Sequence, residues 1–402
     1  MTRRQLKLGY FTLTALNTLA NSYYFTYLFF FLRDRFGFGD RQNLWVSALH
    51  GFIYIFSAWQ CGRFAQRRGF LTSIKIGFGG LTLIMIATSL LDSVTGILCA
   101  LAGYSVVLLF TWPALEAIVS ENETPAGVQH NVGIYNCTWA GGAALAYFSG
   151  GALYEALGRR AVFQLPAVLF LIQFIFAVAL SHAARSVSSP KREPLPNQPH
   201  QPEAVPGSRK LSPQIFMKMA WLANPFAYMA LNTIWPVMPG LARKFSLSPA
   251  EVGLFCSVWL LGRFVAFALL WRWTRWHYRF RWLACAFAVL IAAFLTMLLA
   301  SRLWIVVLSQ VFLGLAAGFI YYSSLFYSMD VGEGSAEHGG FHEAAIGAGI
   351  CAGPAVGAAT LTLFPQQPNA GVLAISGLLL LGLISLFGLW GKAQLTRREA
   401  RG

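Results

Sequence analysis

Charge is scarce in this chain. Asp, Glu, Lys and Arg together make up 11% of the 402 residues, against roughly 25% in ordinary soluble domains. So few charges cannot cover a sequence that is 56% hydrophobic, which excludes a water-soluble globule. Acidic residues are the rarer sign, 15 against 30 basic ones. Cysteine is sparse too: Cys61, Cys99, Cys137, Cys256, Cys285 and Cys351 all sit in or at the ends of apolar runs, and none forms a CxxC pair. They read as small buried hydrophobes, with no disulfide and no metal cluster. A phosphate-binding GxxxxGK[ST] loop is missing, and no soluble segment is large enough to hydrolyse ATP. Active transport would therefore have to draw on an ion gradient.

What is present is apolar sequence in blocks of about 20 residues, the length that crosses a hydrocarbon core roughly 30 Å thick. Twelve spans are expected, at 9–32, 43–61, 71–91, 97–119, 131–152, 162–182, 215–239, 251–271, 281–300, 303–326, 339–363 and 371–391. Runs of this length exclude a β-barrel, whose strands alternate over about 10 residues. The opening MTRRQLK precedes an apolar run as in a signal peptide. That run is too long, however, and holds Asn17 and Asn21, so it reads as an uncleaved first helix.

The net charge of +15 is a matter of topology. With the N-terminus in the cytoplasm, 21 basic residues fall on the cytoplasmic side and 8 on the other, and Arg263 lies inside a span. The positive-inside rule places both termini in the cytoplasm, and no nucleic-acid partner is implied. The short polar loops suggest a bacterial inner membrane.

Residues 183–214 are rich in proline, serine and charge and are expected to be a loosely extended cytoplasmic linker. It separates a six-helix bundle at 1–182 from another at 215–402. The halves resemble each other at an offset of 207 residues: Asn17 meets Asn224, Gly133 meets Gly340, Asn136 meets Glu343, Gly142 meets Gly349 and Gly150 meets Gly357. Parallel repeats of this kind build one large transporter class. On these grounds the chain resembles the major facilitator superfamily over its whole length: six plus six helices, cytoplasmic ends and a long central loop. The stretch GRFAQRRGF from Gly62 to Phe70 is similar to that family's motif of glycine, an acid, basic residues and glycine between helices two and three. Gln66 stands where the aspartate is expected, so the charge relay that latches the cytoplasmic side in the family lacks its acid. The resemblance implies an all-α membrane fold in which helices one, four, seven and ten line a central cavity.

Candidate site residues come from polarity in the wrong place. A charge at a helix centre costs about 2.5–3.5 kcal/mol on insertion scales. Arg263 is the deepest, 12 residues past Glu251 and 9 before Arg272. Either it faces the cavity and holds an anionic or carbonyl-bearing substrate, or it locks two helices together. Glu116 lies about a turn inside the end of helix four, after a kink expected at Pro113. It reads as a proton-coupling group or as a gate contact. His342 and Glu343 fall in the first turn of a helix starting near Gly339, where the dipole favours an acid. The repeat sets Glu343 opposite Asn136, with Tyr135 beside it, as a proton-linked gate at the cytoplasmic mouth. A zinc ion on His338, His342 and Glu343 is the less favoured reading. Asn17, Asn21, Tyr24, Trp112, Asn232, Trp235 and Tyr322 complete an expected aromatic and amide substrate cavity. Gly349, Gly353 and Gly357 form a packing face, expected to keep a rocking interface tight.

The expected function is secondary transport of a small organic solute by alternating access, with proton coupling expected from the number of titratable groups in or beside the spans. The chain is expected to be a monomer in the lipid bilayer, with a small-molecule substrate and no cofactor or metal. A non-transporting sensor or assembly partner is the rival. An enzyme is disfavoured, because no nucleophile and base cluster together.

Overall fold

The computed structural model describes residues 2–121, 123, 125–186, 211–331 and 336–399. Most of the expected linker lies outside the described residues, as do the side chains of His338 and His342 and hence most of the zinc reading. Thirteen helices make up the described chain: α1 Arg3–Phe36, α2 Asp40–Arg68, α3 Phe70–Ser89, α4 Val94–Leu108, α5 Trp112–Ser120, α6 Pro125–Leu157, α7 Ala161–Ser186, α8 Pro213–Lys244, α9 Pro249–Arg272, α10 Phe280–Leu299, α11 Leu303–Val331, α12 Ala336–Leu363 and α13 Ala370–Glu399. Among the described residues there is no strand. Helices α4 and α5 are one crossing broken at 109–111, so thirteen helices make twelve spans.

The break has a local cause. Pro113 near the start of α5 carries no N–H, so the helix cannot run through it intact. The turn is held by its neighbours: Ser73 Oγ donates to the Phe110 carbonyl at 2.7 Å, and Asn17 Nδ2 donates to Thr111 Oγ1 at 3.3 Å.

Eight helices are long and apolar enough to cross a membrane on composition alone, counting α4 and α5 as one. The other four crossings, α1, α2, α6 and α8, carry more polar residues. All four meet the opposite half of the molecule: α1 and α2 pack on α8, α2 on α12, and α6 on α9. In α1 every residue from Tyr23 to Leu32 is buried, so it has little lipid to face and little need to be uniformly apolar. Lipid-type exposure falls on helices such as α13, which presents Leu373, Leu380, Leu381 and Ile384.

The two halves repeat the same packing. In the first, α6 lies on α1, with Gly142 against Ala15 and Thr18 and Gly150 against Tyr23 and Tyr27. In the second, α12 lies on α8, with Gly349 against Pro225 and Tyr228 and Gly353 against Met229. The packing face expected from Gly349, Gly353 and Gly357 therefore exists, but Gly349 and Gly353 bind α12 to its own half. Only Gly357 touches the other half, at Leu44.

The glycines that bring the halves together are different ones. On α2, a Cβ at Gly51 would collide with the backbone of Ile350 and Cys351 on α12; on α6, one at Gly151 would collide with Pro249 and Ala250 at the start of α9. Helices approach this closely only where a side chain is missing. At the end away from the chain termini, proline does related work. Pro236 leaves the Asn232 carbonyl without its helical donor, and Ser47 Oγ of α2 reaches it at 3.5 Å. Asn43 Nδ2 donates to the Pro236 carbonyl at 3.2 Å and Arg33 Nη1 to the Pro239 carbonyl at 3.2 Å.

Replacing Gly51 by valine should wedge α2 from α12 at an overpacking cost of about 1–3 kcal/mol and raise the alkylation rate of the neighbouring, half-buried Cys351. Gly349→Val should instead lower thermal stability without that selective gain. Mass spectrometry after maleimide labelling, paired with a melting curve, separates the two outcomes.

Candidate functional site

Between the halves lies a cavity of about 40 Å³. It is bordered by Trp139 and Tyr147 of α6, Tyr228, Asn232 and Trp235 of α8, and Trp259 and Arg263 of α9. Arg263 is 1% exposed. No carboxylate among the described residues pairs with it. Its charge is met by ring faces: the guanidinium carbon lies 4.4 Å from the centroid of Trp139, 4.8 Å from Tyr321, 5.5 Å from Phe267 and 5.6 Å from Tyr228. Each such contact is worth about 0.5–2 kcal/mol, more when desolvated. Nη2 also donates to the Tyr228 hydroxyl at 3.3 Å. This arrangement holds a cation in place without neutralising it.

Toward the end that carries the termini, a second layer gathers carboxylates. Glu343 is 6% exposed and accepts a hydrogen bond from the Tyr54 hydroxyl at 2.6 Å. That bond joins α12 of one half to α2 of the other. Because α12 begins at Ala336 instead of near Gly339, Glu343 sits two turns into the helix. It is buried there, not solvated at a helix start. Glu116 of α5, half-buried, lies within electrostatic reach of Glu343, and both reach Tyr135, Tyr228 and Tyr321. Tyr228 thus touches both layers.

Asn232, Trp235 and Arg263 border the cavity, and Glu116, Tyr135 and Glu343 form the carboxylate layer. Asn136 is buried with neither side-chain atom hydrogen-bonded. Asn17 and Asn21 are spent within the first half: Asn21 Nδ2 donates to Asn17 Oδ1 at 2.7 Å, and Asn21 Oδ1 accepts from Tyr104 at 2.5 Å. Tyr24 packs on Tyr104 and Phe163 in the same core. Tyr322 lies against Phe267 and Trp276, while its neighbour Tyr321 covers Arg263. Trp112 opens α5, half-buried. The side chain of His342 is outside the described residues. Sequence reading passed over Tyr54, Tyr228 and Trp259. For Tyr54 a signal existed, since His50 and Tyr54 are i, i+4 on α2, with rings 5.8 Å apart and His50 bonded to Ser105 at 2.7 Å.

Two further charged clusters carry ion pairs of their own. A cleft of about 160 Å³ at the far end holds Arg35, Arg159 and Arg160, but Asp92 binds Arg35 and Arg160 there. At the terminal end Glu123 takes Lys7 and Arg3. Gln66 is exposed.

Three comparisons bear on this architecture. The sequence profile of the Major Facilitator Superfamily matches residues 11–223. Among solved structures, the nucleoside transporter NupG superposes with a TM-score of 0.68 at 14% identity, covering 96% of this chain and 99% of that one. The human organic anion transporter MFSD10 gives 0.67 at 15% identity over 96% and 100%. An inward-facing, unoccupied bacterial homologue of the human lysosomal transporter Spinster gives 0.67 at 13% over 98% and 97%. At these identities the likeness is one of fold. No curated protein sequence matches this one significantly.

The Tyr54–Glu343 bond is expected to help hold the halves closed at the terminal end. Tyr54→Phe removes its donor while keeping the ring. It should lower the melting temperature through the loss of a hydrogen bond to a carboxyl group, about 1.5–3 kcal/mol if Glu343 is ionised. A melting curve unchanged from wild type would show that the bond contributes nothing.

Proposed function

Because the chain belongs to the Major Facilitator Superfamily, we propose that this membrane transporter carries a small organic solute by alternating access, coupled to protons. The observation that carries this reading is the Tyr54–Glu343 bond, a titratable contact between the halves that lies beside the central cavity and not in it. The cavity is flanked on both sides by contacts between halves: Arg33 and Asn43 on α8 at the far end, Tyr54 on Glu343 and the His130–Trp271 ring pair toward the terminal end. Alternating access requires these two sets to release in turn while the fixed site changes sides.

The coupling follows from elementary electrostatics. A carboxylate accepting from a phenol makes a charge-assisted bond, roughly twice as strong as a neutral one. When Glu343 takes up a proton, that strengthening is lost and α12 is freer to leave α2. Glu116, close to the same carboxylate, disfavours two negative charges at once and so ties its own protonation to that of Glu343. Tyr135 on α6, the pseudo-equivalent of α12, lies within electrostatic reach of both carboxylates. We place the terminal end in the cytoplasm of a bacterial inner membrane, on the bias of 21 basic residues against 8, with residues 183–214 as a linker between two bundles and the monomer as the working unit.

The test is accumulation of solutes from a metabolite mixture by proteoliposomes under an imposed pH gradient, with the lumen analysed by mass spectrometry. At least one solute should accumulate above the level in vesicles whose gradient has been collapsed. Glu343→Gln should reduce that accumulation at least tenfold while leaving solute-for-solute exchange. If no solute accumulates, the transport reading fails in favour of a sensor or assembly role. If accumulation ignores the pH gradient, the proton coupling fails alone.

A further inference from the structure

Several residues around the cavity beside Arg263 carry polar groups without partners. Three buried nitrogen donors at its border have no hydrogen-bond partner among the described residues: Arg263 Nε, Trp235 Nε1 and Trp259 Nε1. The indoles of Trp235 and Trp259 pack on each other with centroids 6.2 Å apart, and both rings reach Tyr147. An indole nitrogen can only donate, and so can a guanidinium. Leaving such groups unpaired in a buried site carries a desolvation cost. The other polar groups at this border are the hydroxyls of Ser22, Tyr147 and Tyr228, which can donate or accept, and the amide of Asn232, whose Nδ2 is spent on the Tyr228 carbonyl.

We infer that the cavity is a site for an organic monoanion, a carboxylate on a flat apolar body, and that Arg263, Trp235 and Trp259 are its donors. The charge count follows from Arg263 being, among the described residues, the one cation at the cavity border, with no carboxylate partner to cancel it. Recognition through a carboxylate follows from the donors, which offer an acceptor three N–H groups and a fork that fits two oxygens. A flat body follows from Trp139. Its ring covers the guanidinium at 4.4 Å and lies parallel to Tyr321, with 8° between the planes. A planar ligand ring can take over that stacking when Trp139 swings aside. Movement of Trp139 is required, because about 40 Å³ admits a carboxylate group and little more. The inference rests on the transport reading only for the use made of the site; binding itself does not depend on it.

The experiment uses the full-length protein in detergent near neutral pH, with tryptophan fluorescence and thermal shift as readouts. The probes are benzoate, benzamide and benzylamine, which share a ring and differ in charge. Benzoate should bind saturably, with the other two at least tenfold weaker. Arg263→Ala should weaken benzoate tenfold or more, and Trp235→Phe or Trp259→Phe, which keep a ring and lose the N–H, about threefold to tenfold. The phenylalanine variants also cover the case in which Arg263→Ala fails to fold. Absence of benzoate binding overturns the inference. So does equal binding of benzamide or benzylamine, or indifference of benzoate to all three substitutions. Arginine-dependent benzoate binding without accumulation of any solute would remove the transport reading and leave the site. Accumulation of a solute indifferent to Arg263 would do the reverse.

Discussion

Everything in this molecule depends on helices from opposite halves meeting at backbone distance. In lipid there is no hydrophobic force to press helices together, because lipid tails are as apolar as leucine. Attraction has to come from close van der Waals contact and from hydrogen bonds, and both need small residues or freed carbonyls. Gly51 against Cys351 and Gly151 against Pro249 supply the first. The proline-interrupted end of α8, read by Ser47, Asn43 and Arg33, supplies the second. Contacts of this kind are short-ranged, and the pairs α2–α12 and α6–α9 that carry them are the most closely packed in the molecule. The glycines within each half do a different job: Gly142 and Gly349 fix α6 on α1 and α12 on α8, which ties each half together by itself.

The fold was legible because the bilayer writes it into composition. Each span needs about 20 apolar residues whatever its neighbours are, so local sequence suffices to find it, even in α1 and α8 where polar residues interrupt the run. The repeat was legible for a related reason. Glycines needed at helix crossings recur wherever the crossing recurs, and an offset of 207 residues carries Thr18 onto Pro225 as it carries Gly142 onto Gly349. What the glycine spacing did not reveal was which helix each face meets. The stripe Gly349, Gly353, Gly357 has the same period whether it packs on α8 or on α2.

The site was legible where a residue is expensive and illegible where it is cheap. Arg263 and Glu343 stand out because a charge in a span has to be accounted for, and both lie where the halves meet. Asn17, Asn21 and Tyr24 looked similar in the sequence, yet their hydrogen bonds and ring contacts are used up around the α4–α5 break and the first-half core. An amide or tyrosine costs little enough in a helix to serve packing. Tyr321 and Tyr322 show the limit most plainly: adjacent residues on one helix point about 100° apart, so one covers Arg263 and the other meets Trp276. Tyr54 shares a helix face with His50, but the carboxylate that gives it a role lies 289 positions away.

The separation of Arg263 from the carboxylates is the arrangement that most needs a reason. Coulomb attraction alone would draw a buried guanidinium onto Glu343 or Glu116, since an uncompensated charge in low dielectric is strongly unfavourable. Tyr228 prevents the collapse. Its hydroxyl meets Arg263 at 3.3 Å, and it also lies within electrostatic reach of both carboxylates. A direct ion pair would satisfy the arginine and the acid together and leave neither free to respond to anything. With a tyrosine between them, aromatic faces hold the cation and a phenol from the opposite half holds the acid. On the proposed reading, an anion at Arg263 and a proton at Glu343 would act on neighbouring parts of one network, through the tyrosine that reaches both.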